Sequence, residues 1–562
     1  MSASPELGVC YYPEHWPEDM WISDAQSMYK NGIRWVRIAE FAWSRIEPEP
    51  KKFDWEWLDK AVDILGNAGL KIVMCTPTAT PPRWLINQMP DMLAVDQNGQ
   101  KRKFGSRKHY SFSHKGYQKE SQRITQAVAE RYGSNSFIQA WQTDNEFGCH
   151  ETTYSWCHSS LQEFRNWLKV KYQSIEKLNE EWGNVFWSME YSSFEDIDLP
   201  NLTVTEANPA HHFAFRRFSS DQVKNFNSQQ VKIINQFSPN RPVSHNYMGH
   251  FVEFDHYKVS EDLDIAAWDS YPLGFLQNMQ SIAREDKKLL FECYNIGDPD
   301  FQAYHHDLYR GMGRLWVMEQ QPGPVNWAKY NPIPLPGAVR MWTWEAFAHD
   351  AEVVSYFRWR QAPYAQEQMH AGLMHCDNSP AMGSKEALQV SKEVQEIKLP
   401  PTQKADIALL HDYEACWMTE IDGQTQDFHY TRLMLDFYKS IRINGGSLDI
   451  VGKNTDFTGY KLIIIPSFVH LDEEIFSRIT LSGAKILAGP RTGVKTNGFQ
   501  IPHNLSLEGL GFKVTRVDAL PQELPIEVEW KGIKGHMNVW REQGQCSGTS
   551  DGKGIDDMPV VT

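Results

Sequence analysis

Up to about residue 395 the chain alternates short, nearly continuous apolar runs with stretches of helical spacing, and few folds accommodate that alternation. Eight runs read as strands: 7–12, 35–39, 71–76, 137–143, 242–247, 265–271, 314–319 and 353–358. Strands without polar alternation are covered by helices on a parallel sheet. Between the first two runs, 19–31 has helical apolar spacing and stops at Gly32, a well-placed helix-terminating glycine. The stretch 57–67 repeats the pattern before Gly69. Eight such units over residues 1–395 predict an α/β fold of the (β/α)8 TIM-barrel type, with long insertions, notably 151–209.

The linker 398–404, with its Pro400-Pro401 pair, changes the pattern. Strand-like runs at 405–410, 461–465 and 484–488, and a helical stretch at 430–444 ending at Gly445-Gly446, predict a smaller doubly wound α/β domain over 405–540. Its Gly489-Pro490-Arg491-Thr492-Gly493 loop reads as a turn, with anion binding at a strand end as the alternative. Residues 541–562, rich in Gly, Ser and Asp, read as an irregular tail.

Charge and composition exclude several roles. A net charge of −15 without any Lys/Arg-rich block argues against nucleic-acid binding. No apolar segment approaches the ~20 residues of a membrane span, and residues 1–6 lack the features of a signal peptide. The 8 cysteines are scattered without a CxxC pair, which suits reduced thiols in a cytoplasm. The 21 Trp divide between barrel core and platforms on which a sugar ring could stack.

The chemistry is concentrated at two strand ends. The run 137–141 leads into Thr143-Asp144-Asn145-Glu146 and a glycine, and the run 314–318 ends at Glu319. Catalytic groups of a TIM barrel cluster at the C-terminal ends of its strands, so Glu146 and Glu319 would face each other across the mouth. One protonated and one ionised carboxyl flanking an anomeric carbon is the arrangement of a glycosidase. A lone strand-end Glu also reads as a partner in a structural salt bridge, but the adjacent Asn145, suited to a sugar hydroxyl, favours the chemical reading. Glu292, after the apolar 289–291, competes on pattern alone, although it would break the eight-strand count. The pairs His211-His212 and His305-His306 read as solvated or hydrogen-bonded, and His150-Glu151 lacks the second histidine of a zinc-protease motif.

Several long stretches are more specific than a short motif: Tyr11-Tyr12-Pro13-Glu14-His15-Trp16-Pro17, Thr143-Asp144-Asn145-Glu146, Ala267-Trp268-Asp269-Ser270-Tyr271-Pro272-Leu273-Gly274, the run from Met318-Glu319 to Asn326-Trp327, and the run from Tyr356-Phe357-Arg358 to Ala362-Pro363. In these the chain resembles glycoside hydrolase family 42, the β-galactosidases of bacteria and archaea. The resemblance extends from about residue 7 to beyond residue 500. It implies a retaining hydrolase that releases terminal β-D-galactose, with Glu146 as acid/base and Glu319 as nucleophile. It also implies a galactose pocket in which Arg107 and Asn145 bind hydroxyls, Trp327 stacks on the ring, and Glu367 and His370 hold the hydroxyls that distinguish galactose. Arg37, Trp187, Tyr271 and Phe357 would form the pocket wall.

Many members carry a structural zinc on four cysteines, and the matching positions here are Ser111, Ser155, Cys157 and Ser160. Hydroxyls do not replace thiolates as tetrahedral zinc ligands, so no metal or other cofactor is expected. The α/β unit resembles the family's trimerisation domain, which implies a homotrimer, and the β-rich third domain typical of the family is not seen. Related substrates (an α-L-arabinopyranoside, or transfer of galactose to another sugar) and a non-catalytic sugar-binding protein stand as alternatives to galactoside hydrolysis.

Overall fold

The computed structural model describes residues 4–278, 287–400, 402–502, 506–507, 511–521, 523–546, 552–554 and 559–561. Eight parallel strands close into a barrel in sequence order: β1 Glu6–Cys10, β2 Ile33–Ile38, β3 Lys71–Cys75, β4 Ile138–Gln142, β5 Val243–Met248, β6 Ile265–Ser270, β7 Arg314–Gln320 and β8 Val353–Tyr356. Each coincides with an expected run to within three residues at either end. The first crossover helix, Glu18–Lys30, ends ahead of Gly32, whose φ of +84° is the left-handed conformation the sequence required.

Alternate residues of neighbouring strands fill the barrel. Val73, Ala140, Ile265, Ala267, Trp316, Met318 and Val353 form one buried cluster, with Trp35 packed against it. Toward the C-terminal mouth the same inward-facing rows become polar: Arg37 follows Trp35 by two residues, Gln142 follows Ala140, and Asp269 follows Ala267. The plug is therefore apolar below and charged above. An active site needs that polarity where the strands end.

The chain divides into two compact units, Met1–Glu163 with Ser219–Gln403, and Phe164–Phe218 with Lys404–Thr562. The insertion foreseen at 151–209 thus groups mostly with the C-terminal unit, not with the barrel as a 1–395 domain would have it. One reason is visible inside that unit: Arg217 forks onto Glu414 at 2.9 and 2.7 Å.

The second unit contains a four-stranded parallel sheet in the order β10-β9-β11-β12, made of β9 Ile407–Leu410, β10 Leu448–Val451, β11 Leu462–Ile465 and β12 Lys485–Ala488. Asp412 and Asp472 cap the helices Tyr413–Ile421 and Glu473–Leu481. Two departures from the sequence reading lie beyond it. Phe512–Leu520 pairs antiparallel with Val539–Cys546, and Ile526–Trp530 with Ile533–Met537, so the closing part of 405–540 is β-hairpin and not doubly wound. The expected irregular tail begins inside a strand; residues 547–551, 555–558 and 562 of it lie outside the described set. The Gly489–Gly493 loop is a turn. Its Arg491 is 2 % exposed, donates to the carbonyls of Asp422 and Gly423, and lies against the Phe428 and Trp540 rings.

Candidate active site

Glu319 reaches the mouth through a fault in its strand. Trp316 and Met318 point into the barrel, so strict alternation would turn Glu319 outward toward the helices. Pairing with β6 skips one residue: Val317 is opposite Trp268, but Glu319 is opposite Asp269. Pairing with β8 shifts over the same stretch, between Val317 and Gln320. A bulge of this kind re-aims a side chain, and here it aims a carboxylate inward. Arg37 Nη2 donates to Glu319 Oε1 at 2.6 Å, and the Tyr271 hydroxyl donates to Oε2 at 2.5 Å.

Glu146 sits just past β4 in a tight turn whose Asp144 (φ 50°) and Glu146 (φ 44°) are both left-handed. Non-glycine residues there cost of order 1–3 kcal/mol each, and surrounding contacts must hold them. They do. The Glu146 amide donates to Asn246 Oδ1 at 3.2 Å and the Phe147 amide to His245 Nε2 at 3.1 Å. Arg107 Nη2 and Asn145 Nδ2 both donate to Glu146 Oε2, at 3.0 and 3.1 Å.

Oxygens of Glu146, Asp269 and Glu319 lie within 4.8 Å of one another. Asp269 is a third carboxyl that the sequence reading quoted but did not single out, fully buried at the end of β6. Asn246 links the set: its Nδ2 donates to Asp269 Oδ2 at 2.7 Å and to Asn145 Oδ1 at 3.1 Å, and stands 3.5 Å from Glu319 Oε1. Three acids so placed could hold a hard cation, yet Arg37 and Arg107 already bring positive charge to two of them.

In the free site the protonated partner of the expected pair is not Glu146. Burial opposes its charge, but Arg107 foremost, then Lys108 and His150, outweigh burial and hold Glu146 below its ordinary value. Burial, opposed by Arg37 and reinforced by the Glu146 charge, pushes Glu319 up to about 7. Burial and both glutamates push Asp269 far up.

Around the acids stand most of the other expected residues. Trp327, 42 % exposed, meets the Tyr271 ring edge-on at 5.6 Å. Phe357 packs edge-on against His370 at 5.0 Å and Tyr271 at 6.5 Å. His370 is buried, which lowers its pKa to about 4, so the ring is neutral. Glu367 is half-exposed and lies 3.5 Å from Arg358 Nη2. Trp187 belongs to the other compact unit, where it is 71 % exposed with a left-handed φ of 53°. Glu292, the competing nucleophile, is exposed on the helix Lys287–Cys293; its apolar lead-in is helical and not a strand. Besides Asp269, the sequence reading passed over Asn246 and Gln142, polar residues late in their strands that face inward, whereas Glu319 was chosen as a strand-final acid.

The four positions matching the family's zinc ligands do converge. Cys157 Sγ is 3.4 Å from both Ser111 Oγ and Ser160 Oγ, these hydroxyls are 3.3 Å apart, and the Val95 amide donates to Ser155 Oγ at 3.2 Å. Burial opposes a thiolate here, but hydrogen bonds from the three serines outweigh it and lower the Cys157 pKa. One thiol and three hydroxyls already bonded among themselves do not fit a tetrahedral zinc.

Residues 10–397 match the model of a β-galactosidase family, that of glycoside hydrolase 42, and residues 405–552 match a β-galactosidase trimerisation domain. The chain belongs to glycoside hydrolase family 42. A β-galactosidase of Thermus thermophilus is 48 % identical over 544 residues, 95 % of this chain and 83 % of the relative. One of Halorubrum lacusprofundi is 43 % identical over 87 % of this chain and 70 % of its own. The crystal structure of a β-galactosidase from the psychrophilic Marinomonas ef1 superposes with a TM-score of 0.96 at 48 % identity, covering 99 % of this chain and 87 % of that one. As a member of this β-galactosidase family the chain is an enzyme, a glycosidase.

Proposed function

We propose that this family 42 enzyme removes terminal β-D-galactose, lactose included, by double displacement, with Glu319 as nucleophile and Glu146 as acid/base. The spacing of the two acids carries the reading. Oxygens within 4.8 Å of one another accord with the ~5–5.5 Å carboxyl separation of retaining enzymes better than with the ~6.5–9.5 Å of inverting ones. Glu319 attacks the anomeric carbon as Glu146 gives its proton to the departing oxygen; water then enters with Glu146 as base, and Glu319 leaves as carboxylate.

The free-site charges fit a sequence of events. Arg107 and Asn145 hold Glu146 ionised until a sugar arrives, and in this reading the same two groups take sugar hydroxyls. Drawing Arg107 away removes the cation that lowers Glu146, so its carboxyl gains a proton when the acid is needed. Trp327 and the pocket residues Arg37, Tyr271 and Phe357 position the ring. Glu367 and the neutral His370 read the hydroxyls of galactose.

Three further points belong to the reading. The match to a trimerisation domain supports a homotrimer. Among the described residues Cys10, Cys75, Cys149, Cys157, Cys376 and Cys416 are free thiols, which supports a cytoplasmic setting. The serine-rich Cys157 cluster supports an enzyme without structural zinc.

The decisive test is the first-formed product, followed by NMR, together with a 2-fluoro galactoside that stalls the second step. β-Galactose as first product and a label on Glu319 are expected. α-Galactose, or a label elsewhere, overturns the mechanism.

A further inference from the structure

Beneath the acid/base turn lies a fully buried ion pair, Lys108 Nζ with Asp144 Oδ1, both side chains at 0 % exposure. Asp144 collects further donors: Thr78 Oγ1 at 2.6 Å and the Tyr110 hydroxyl at 3.0 Å on Oδ2, and the Asn145 amide at 2.7 Å on Oδ1. Its own amide donates to Thr76 Oγ1 at 2.8 Å, and Gln142 Nε2 donates to its carbonyl at 2.9 Å. One carboxylate therefore ties together the ends of β3 and β4 and the segment carrying Arg107 and Tyr110.

Lys108 is left-handed at φ 63° and is pinned through its amide to the Ala79 carbonyl at 3.0 Å. Its neighbour in sequence, Arg107, supplies the cation on Glu146. The pair thus fixes both members of the Arg107–Glu146 contact, one from each side. Charged groups without solvent are costly to bury, so a fully buried pair is weak evidence of a stabilising role and points to function.

We propose that Lys108 and Asp144 are positioning residues for proton transfer, an ion-paired clamp that sets where the Glu146 carboxyl and the Arg107 guanidinium stand relative to the departing oxygen. The inference rests on Glu146 being the acid/base. The clamp does not touch the sugar or the nucleophile. Its loss falls on the step that needs a proton and spares the attack by Glu319.

The test compares kcat/KM for galactosides with a good leaving group (2,4-dinitrophenol) and a poor one (lactose) in the Lys108→Met/Asp144→Asn double variant. Removing both charges leaves none unpaired in the interior. A carboxyl displaced by about an ångström loses on the order of 100-fold, so lactose should fall roughly 100-fold while the dinitrophenyl galactoside stays within about threefold. With the dinitrophenyl galactoside, breakdown of the galactosyl–Glu319 ester becomes limiting, so azide, attacking that ester in place of activated water, should raise kcat and give β-galactosyl azide. Thr78→Val, which removes one donor to Asp144 and keeps both charges, should show the same split at about tenfold and serves if the double variant does not fold. Equal losses on both substrates, or no azide product, overturn the clamp. Glu146→Ala is run beside them: with its split present, a failure belongs to the clamp alone, and with its split absent the acid assignment falls and the clamp with it.

Discussion

Asp269 and Glu319 are partners across β6 and β7, side by side in register with their carboxyl oxygens within 4.8 Å. Burial there makes the charge on Glu319 unfavourable for folding even as the chemistry requires it. A carboxyl raised from 4.5 to about 7 binds its proton more tightly in the folded chain. Its contribution to stability is therefore full below about pH 4.5 and is lost as pH rises through 7. Glu319→Gln should abolish turnover and stabilise the protein at pH 8, by up to about 3 kcal/mol, with little difference at pH 4. Thermal midpoints of both proteins across this window check it; parallel curves would count against a buried, proton-holding nucleophile.

Gly274 lies under Trp327. A Cβ at that position would fall 2.4 Å from the indole, so Gly274→Ala must push the ring aside. Because Trp327 is 42 % exposed, it can move without unfolding the barrel. The expected outcome is an unchanged melting temperature with KM raised about tenfold, a cost near 1.4 kcal/mol in stacking on the sugar. An unchanged KM would remove Trp327 from the galactose platform.

Metal analysis after dialysis should find no stoichiometric zinc, and chelators should leave the melting temperature alone; one zinc per chain refutes this. The same cluster offers a positive control. Its 3.3–3.4 Å spacings approach the ~3.7 Å between sulfurs around a tetrahedral zinc. Ser111→Cys, Ser155→Cys and Ser160→Cys together should therefore create a site that binds zinc and raises the melting temperature.

Light scattering should report three chains per particle. A stable monomer that retains full activity would show that the match to a trimerisation domain does not extend to assembly.

The barrel was legible because each of its strands is a bounded apolar run and each turn carries its own punctuation, as at Gly32. Glu146 and Glu319 could be chosen because the mouth of such a barrel collects strand-final acids. Legibility ended where partners are set by pairing. Leu448–Val451 is too short to show a period, and the hairpin at Lys531-Gly532 depends on its two left-handed residues, not on apolar alternation. Asp269 was overlooked for a different reason: an aspartate before Ser270-Tyr271 looks like a turn residue until the inward rows of neighbouring strands are overlaid. The lowered Glu146 was beyond reach as well, since it depends on Arg107 and Lys108 arriving from another loop.

The slip in β7 makes competence a matter of counting. The same residues paired in strict alternation, without the slip, would keep the glutamate, the barrel and the resemblance to the relatives, yet would offer that glutamate to the helical shell. Activity inferred from the presence of an acid at this position holds only for chains whose pairing also slips beside it.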